Sequence, residues 1–117
     1  MHSIDSSIVL DRDQLRDITM DDDELMHEIL ATLLDDTSAQ IHKLASAVTD
    51  ADASLCMRLA HYCKGSCGNV GANATAAVFR EIERYAKEQE FQQCSASLAV
   101  LASEMERLRA EVTALSV

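Results

Sequence analysis

Proline and tryptophan are absent from the 117-residue sequence, glycine occurs three times, and two Tyr and two Phe are its only aromatic residues. β-Sheets favour β-branched and aromatic residues, with Gly or Pro in the turns, so this composition disfavours a sheet. A chain of this length, on the order of 100 residues, is typical of one domain. We therefore predict a single all-α domain over residues 1–117.

Basic residues are also scarce, since 10 Lys and Arg stand against 20 Asp and Glu and give a net charge of −10. Such a charge repels phosphate backbones and anionic lipid, which excludes nucleic acid and membrane as expected partners. No apolar run approaches the roughly 18 residues of a membrane span, and Met1–Leu10 lacks the features of a signal peptide. We expect a cytoplasmic location. The lack of a linker at either end favours a free-standing protein, with a fragment of a larger protein as the alternative.

The four cysteines form no C-x-x-C pair, and Cys56, Cys63 and Cys67 recur at helical spacing. In a reducing compartment such residues act as small apolar core side chains, which is the interpretation we favour. A metal or redox role is the alternative.

Apolar residues recur at helical spacing along most of the chain and predict five helices. The first is short and covers Asp11–Ile18. A capping box formed by Thr19 and Asp22 is then predicted to start a helix of about 28 residues. The other helices are predicted at about Asp52–Val70, ended by Gly71, at Asn73 to about Gln89, and along a heptad pattern at Phe91–Leu115.

The stripes that these helices present predict how they pack. In the third helix the inward residues are expected to be Cys56, Leu59, Ala60, Cys63, Cys67 and Val70. In the fourth they are expected to be Ala74, Val78, Ile82, Tyr85 and Ala86. Four such stripes with short connections predict an antiparallel up-down four-helix bundle with a short additional N-terminal helix.

The third helix breaks the local rules, because Gly65 and Gly68 lie in its interior and each costs about 1 kcal/mol relative to Ala. At about 100° per residue, His61 points roughly 140° away from the predicted core direction, toward solvent. The two glycines leave the surface beside it bare, and Lys64 lies on its flank with Arg58 one turn back. An exposed neutral imidazole next to a cation and an open approach suits attack on a phosphoryl group. Tight helix packing is the alternative role for the glycines.

Residues 61–72, His-Tyr-Cys-Lys-Gly-Ser-Cys-Gly-Asn-Val-Gly-Ala, resemble the signature of histidine-containing phosphotransfer (HPt) domains. The family sequence continues after its histidine as x-Leu-Lys-Gly-Ser-Ser-x-x-x-Gly-Ala or a close variant. Cys63 replaces the usual leucine, and Cys67 stands where serine or alanine is common. Both residues are small and apolar enough to stay in a core.

The resemblance implies that His61 accepts a phosphoryl group on Nε2 from the aspartyl phosphate of one receiver domain and passes it to another receiver. Lys64 would stabilise the phosphoryl oxygens, and Gly65 and Gly68 would leave room for the receiver. Members of the family are not kinases, and we expect that this chain is not an enzyme. The receiver would bring the Mg²⁺, so no cofactor is expected on this chain. The predicted partners are receivers of response regulators or hybrid histidine kinases, and the chain is expected to be a monomer.

The resemblance also implies an apolar receiver-docking surface near the histidine. Its candidates are Gly65, Gly68, Arg58, Met57, Leu15 and Ile18, together with Met20. Two other functions stay open at this point. One is a helical module that binds a receiver or kinase without being phosphorylated. The other is a metal-binding bundle. The predicted direction of His61 disfavours this function, because His61 points away from the cysteines with which it would have to share a metal.

Overall fold

The computed structural model describes residues 5–115, and these contain five α-helices and no strand. This confirms the all-α prediction. None of the helices in that range has the length and apolar character needed to cross a bilayer. The helices are α1 (Arg12–Thr19), α2 (Asp23–Thr49), α3 (Ala53–Asn69), α4 (Asn73–Lys87) and α5 (Phe91–Leu115).

Aspartate side chains start the first three helices. Asp11, Asp22 and Asp52 are the N-caps of α1, α2 and α3, and each carboxylate accepts a hydrogen bond from the backbone N–H three residues later. Such caps satisfy donors that have no partner within the helix. The predicted capping box at Thr19 is wrong. Thr19 is the last residue of α1, where its buried hydroxyl donates to the Leu15 carbonyl at 2.7 Å.

The four long helices form a closed ring of contacts, because α3 packs on α2 and α4, and α5 packs on α4 and α2. Helix α1 lies against α2. The connections between successive long helices span residues 50–52, 70–72 and 88–90. Connections this short keep sequential helices adjacent, so one core forms between them.

The core confirms most of the predicted stripes and corrects part of them. Cys56, Ala60, Cys63 and Cys67 of α3 are buried. In α4 the fully buried aromatic residue is Phe79, whereas Val78 and Tyr85, predicted to be inward, are only partly buried. Leu59 is also only partly buried. For Val78 and Tyr85 the reason is that α4 is rotated so that the centre of its apolar stripe runs through Phe79, Ile82 and Ala86.

All four thiols are free and buried, as the core interpretation of the cysteines predicted. Burial raises the pKa of Cys63 to about 12 and the pKa values of Cys56 and Cys67 to about 11. A thiol with so high a pKa is protonated at neutral pH and is a poor nucleophile or metal ligand. These residues therefore pack as small apolar side chains.

Residues 8–11 are fixed to the turn between α3 and α4. The Ala74 N–H donates to the Ile8 carbonyl at 2.9 Å, and the Asp11 N–H donates to the Gly71 carbonyl at 2.8 Å. Gly71 follows the C-cap of α3 at a φ of +90°, which confirms it as the predicted stop of the helix. A φ this positive is readily adopted by glycine and is strained for a residue with a Cβ. The Met1–Leu10 segment, in which the sequence shows little periodicity, is thus docked from Ile8 onward, and Met1–Ile4 lie outside the described residues.

A Gly71→Ala variant is expected to lose about 2 to 4 kcal/mol of unfolding free energy. Its Cβ would lie 2.8 Å from the Asp11 carbonyl oxygen, at a φ that an L residue rarely adopts. Chemical denaturation followed by circular dichroism measures the loss. Gly65→Ala is the matched control, because a Cβ there meets nothing within 4 Å and should stabilise the helix by up to about 1 kcal/mol. Equal effects of the two substitutions would contradict this account of Gly71.

Candidate functional site

The His61 side chain stands on the surface of α3, with 69% of its area exposed. The helical spacing predicted this outward direction, and the nearby residues Ala60 and Cys63 face the core as expected. The ring is therefore open to a partner molecule.

One ring nitrogen of His61 is held by α4. Its Nδ1 lies 3.0 Å from Oε2 of Glu83. An ionised carboxylate can only accept hydrogen bonds, so in the neutral ring Nδ1 carries the proton and donates it to Glu83. The other nitrogen, Nε2, is then left with the lone pair. Glu83 thus favours the tautomer in which the lone pair lies on Nε2, the nitrogen that could then act as a nucleophile.

The same carboxylate binds Lys64. Its Oε1 accepts a hydrogen bond from Nζ of Lys64 at 2.7 Å, and about 30% of the lysine side chain remains exposed. Burial raises the pKa of Glu83, but the hydrogen bonds and charges of Lys64 and His61 outweigh it, so the net pKa lies below its ordinary value. Glu83 is therefore ionised at neutral pH, as the tautomer assignment requires.

The surface on the C-terminal side of the ring is bare. A Cβ built at Gly65 meets no atom within 4 Å, so this glycine does not serve helix packing. A Cβ at Gly68 would touch Ala76 at 4.0 Å, an ordinary contact distance. The Gly68 carbonyl accepts a hydrogen bond from the Gln14 side chain at 2.8 Å, so α1 covers part of this position. The open strip beside His61 thus centres on Gly65.

The sequence matches the Hpt domain family over residues 28–111, which include this histidine and its neighbours. The chain belongs to the Hpt domain family. Its fold is similar to the crystal structure of histidine-containing phosphotransfer protein B (HptB) from Pseudomonas aeruginosa PAO1. The TM-score is 0.83 at 25% identity, over 90% of this chain and 91% of that one. No curated protein matches the sequence significantly. Membership assigns the domain to histidine phosphotransfer in phosphorelays.

Two grooves flank the histidine of this Hpt domain and contain most of the predicted docking residues. One groove of about 610 Å³ is lined by Gly65, Gly68, Lys64 and Ile18. Ile18 is 46% exposed. A second, of about 410 Å³, is lined by Met57, Arg58 and His61. The candidates therefore lie on both sides of the ring.

Leu15 is the exception among the docking candidates. It has no exposed area and belongs to the core, so it cannot contact a partner directly. The prediction that Leu15 contacts the receiver is therefore wrong. On a short surface helix, buried and exposed apolar residues such as Leu15 and Ile18 are only a few positions apart. Met20, at the end of α1, is instead almost fully exposed.

Glu83 is the site residue that the sequence did not reveal. It follows the core residue Ile82 and looks like one more charge on an amphipathic helix. Its contact with His61 depends on the rotation and axial alignment of α4 relative to α3. The apolar pattern of neither helix specifies these. Arg80 lies one turn earlier on the same side of α4 and lines the groove with Gly65, a position that the sequence pattern did not indicate for the same reason.

The metal-binding alternative finds no support among residues 5–115, where no three His, Cys, Asp or Glu side chains come together as ligands. His61 is exposed whereas the cysteines are buried, so they do not share a site.

A Glu83→Ala variant is expected to lose the preference for the tautomer with a proton on Nδ1, because the acceptor is gone. ¹⁵N NMR of the His61 ring measures the tautomer, and we expect phosphoryl transfer to slow about ten-fold. Glu81→Ala is the matched control, since Glu81 lies on the same helix and pairs with Arg84 instead. A ring spectrum unchanged in Glu83→Ala would show that Glu83 does not set the tautomer.

Proposed function

We propose that this Hpt domain is a phosphorelay intermediate that receives a phosphoryl group on Nε2 of His61 from a receiver-domain aspartyl phosphate and passes it to a second receiver. The observation that carries the proposal is the exposed ring, whose Nδ1 is engaged by Glu83 at 3.0 Å while Nε2 is left with its lone pair. Gly65 keeps the adjacent surface free for the incoming domain.

The chemistry needs little from this chain. The Nε2 lone pair forms the bond to phosphorus as the bond from phosphorus to the aspartyl oxygen breaks, and the aspartate leaves as a carboxylate. The second transfer is the reverse reaction, with the carboxylate of another receiver as nucleophile. Glu83 can stabilise the positive ring formed in between through the proton on Nδ1. Lys64 stabilises the phosphoryl oxygens.

In this proposal the chain is a phosphoprotein that acts as a carrier and is not an enzyme. The receiver supplies the Mg²⁺, and this chain needs no cofactor. We place it in the cytoplasm, where its four free thiols would stay reduced. We also propose a monomer with antiparallel up-down order of α2 to α5, which the three-residue connections favour.

The proposed docking surface consists of the two grooves beside His61. Ile18, Gly65 and Gly68 form its side toward α1, and Met57 and Arg58 form the other side. Apolar side chains at the centre of an interface supply most of the binding energy, so Ile18 and Met57 are expected to contact the receiver.

A two-receiver relay tests the proposal. One receiver is phosphorylated with ³²P, the Hpt domain is added, and a second receiver follows. We expect label to pass through the Hpt domain to the second receiver, and the domain-bound label to be acid-labile and alkali-stable, as for phosphohistidine. Label that never enters the Hpt domain, although it binds the receiver, would favour the phosphorylation-independent module instead.

A further inference from the structure

Charge at the phosphoryl site is not balanced by Lys64 alone. The Lys64 ammonium is already paired with the Glu83 carboxylate at 2.7 Å, and only the neutral form of the His61 ring can act as a nucleophile. A phosphoryl group carries about −1.5 to −2 charges near pH 7. Before transfer, the cluster of a neutral His61 ring, Lys64 and Glu83 therefore carries no net positive charge, and an unpaired cation nearby would attract the incoming group.

Arg80 is placed to provide it. This exposed residue of α4 precedes Glu83 by three positions, so the two lie on the same face of the helix. It lines the groove that contains Lys64 and the bare Gly65, and also the smaller groove that contains Glu83 and Met57. No hydrogen bond or ion pair joins Arg80 to any other residue in the range 5–115.

The neighbouring cations of α4 are less suitable. The Arg84 guanidinium pairs with Glu81 and lies 4.5 Å from the centre of the Tyr85 ring. Lys87 lies one turn further along α4, and the groove that it lines does not include Gly65. Arg80 alone among these three lines the groove with the bare strip where the phosphoryl group would arrive.

We propose that Arg80 binds the oxygens of the phosphoryl group on His61 and supplies the charge that the Lys64–Glu83 pair does not. The planar guanidinium fork can donate two parallel hydrogen bonds to a phosphate, which a paired ammonium cannot. This inference rests on the proposed function of His61 as phosphoacceptor, but it concerns recognition of the phosphoryl group and not of the receiver.

The test uses phosphoramidate, a small donor that removes the receiver from the reaction. The bond from Nε2 to phosphorus forms as the phosphorus–nitrogen bond breaks, and the nitrogen leaves as ammonia. The parent protein is compared with Arg80→Ala, Arg80→Lys and the control Lys43→Ala. Lys43 is exposed on α2 and has no partner within the described part of the chain, so its loss changes the net charge equally. Circular dichroism checks the fold of each variant.

We expect Arg80→Ala to slow phosphorylation of His61 about ten-fold, Arg80→Lys to restore part of the rate, and Lys43→Ala to match the parent. A ³¹P NMR titration should show a raised phosphoryl pKa in Arg80→Ala, because a nearby cation favours the dianion. If Arg80→Ala changes neither the rate of phosphorylation by phosphoramidate nor the phosphoryl pKa, the inference is overturned. This holds even if Arg80→Ala slows transfer from a receiver, because that result would mean that Arg80 contacts the receiver. If no receiver phosphorylates His61 but Arg80→Ala still slows phosphorylation by phosphoramidate, the inference stands and the proposed relay function fails.

Discussion

A His61→Gln variant is expected to accept no detectable phosphoryl label from a phosphorylated receiver. Glutamine is similar in size and polarity but has no nucleophilic ring nitrogen, so the bond to phosphorus cannot form. Because 69% of the His61 side chain is exposed, the substitution should leave the core and the thermal unfolding midpoint nearly unchanged. The measurement is transfer of ³²P from the receiver, followed by gel electrophoresis under alkaline conditions.

His42→Gln is the control for this loss. His42 is also exposed but lies on α2, outside the residues that line the grooves beside His61. We expect it to accept label at the parental rate. Label that survives in His61→Gln would place the phosphoryl group on another residue and refute the assignment of the site.

The fold was largely predictable because each helix carries its own signals. Aspartate caps, apolar spacing and the stop at Gly71 act within a few residues, and no distant contact is needed to interpret them. The centre of each buried face was harder to predict. Val78 and Phe79 are adjacent and both apolar, and only packing against α3 and α5 decides that Phe79 is the fully buried one.

In the candidate site, too, the features set by one helix were predictable, and the contact between two helices was not. The direction of His61 and the bare strip at Gly65 follow from one helix, so the sequence was sufficient to predict them. The ion pair between Lys64 and Glu83 joins two helices across the turn at 70–72. It depends on the axial alignment of α3 and α4, which the sequence pattern does not specify. The pairing of Lys64 with Glu83 and the position of Arg80 in the groove beside Gly65 could therefore be seen only in the structure.

A Gly65→Glu variant is expected to slow transfer to His61 about a hundred-fold while the helical circular dichroism signal stays at the parental level. Nothing lies within 4 Å of a Cβ at this position, so the new side chain fits without disturbing α3. It extends into the space beside His61, one helical turn away, where it obstructs the receiver and repels the phosphoryl group. Transfer rates from a phosphorylated receiver measure the effect.

Two controls separate obstruction from other causes. Gly65→Ala adds a side chain too small to reach the ring and should transfer at close to the parental rate. Ser95→Glu adds the same charge at an exposed position of α5, outside the residues that line the two grooves beside His61, and should also behave like the parent. Because Gly65→Glu keeps the His61 ring and its Glu83 partner, a slow rate would locate the receiver on the Gly65 side of the histidine. A parental rate would place the docked receiver on the side of Met57 and Arg58, and a loss of helicity would instead make the glycine structural.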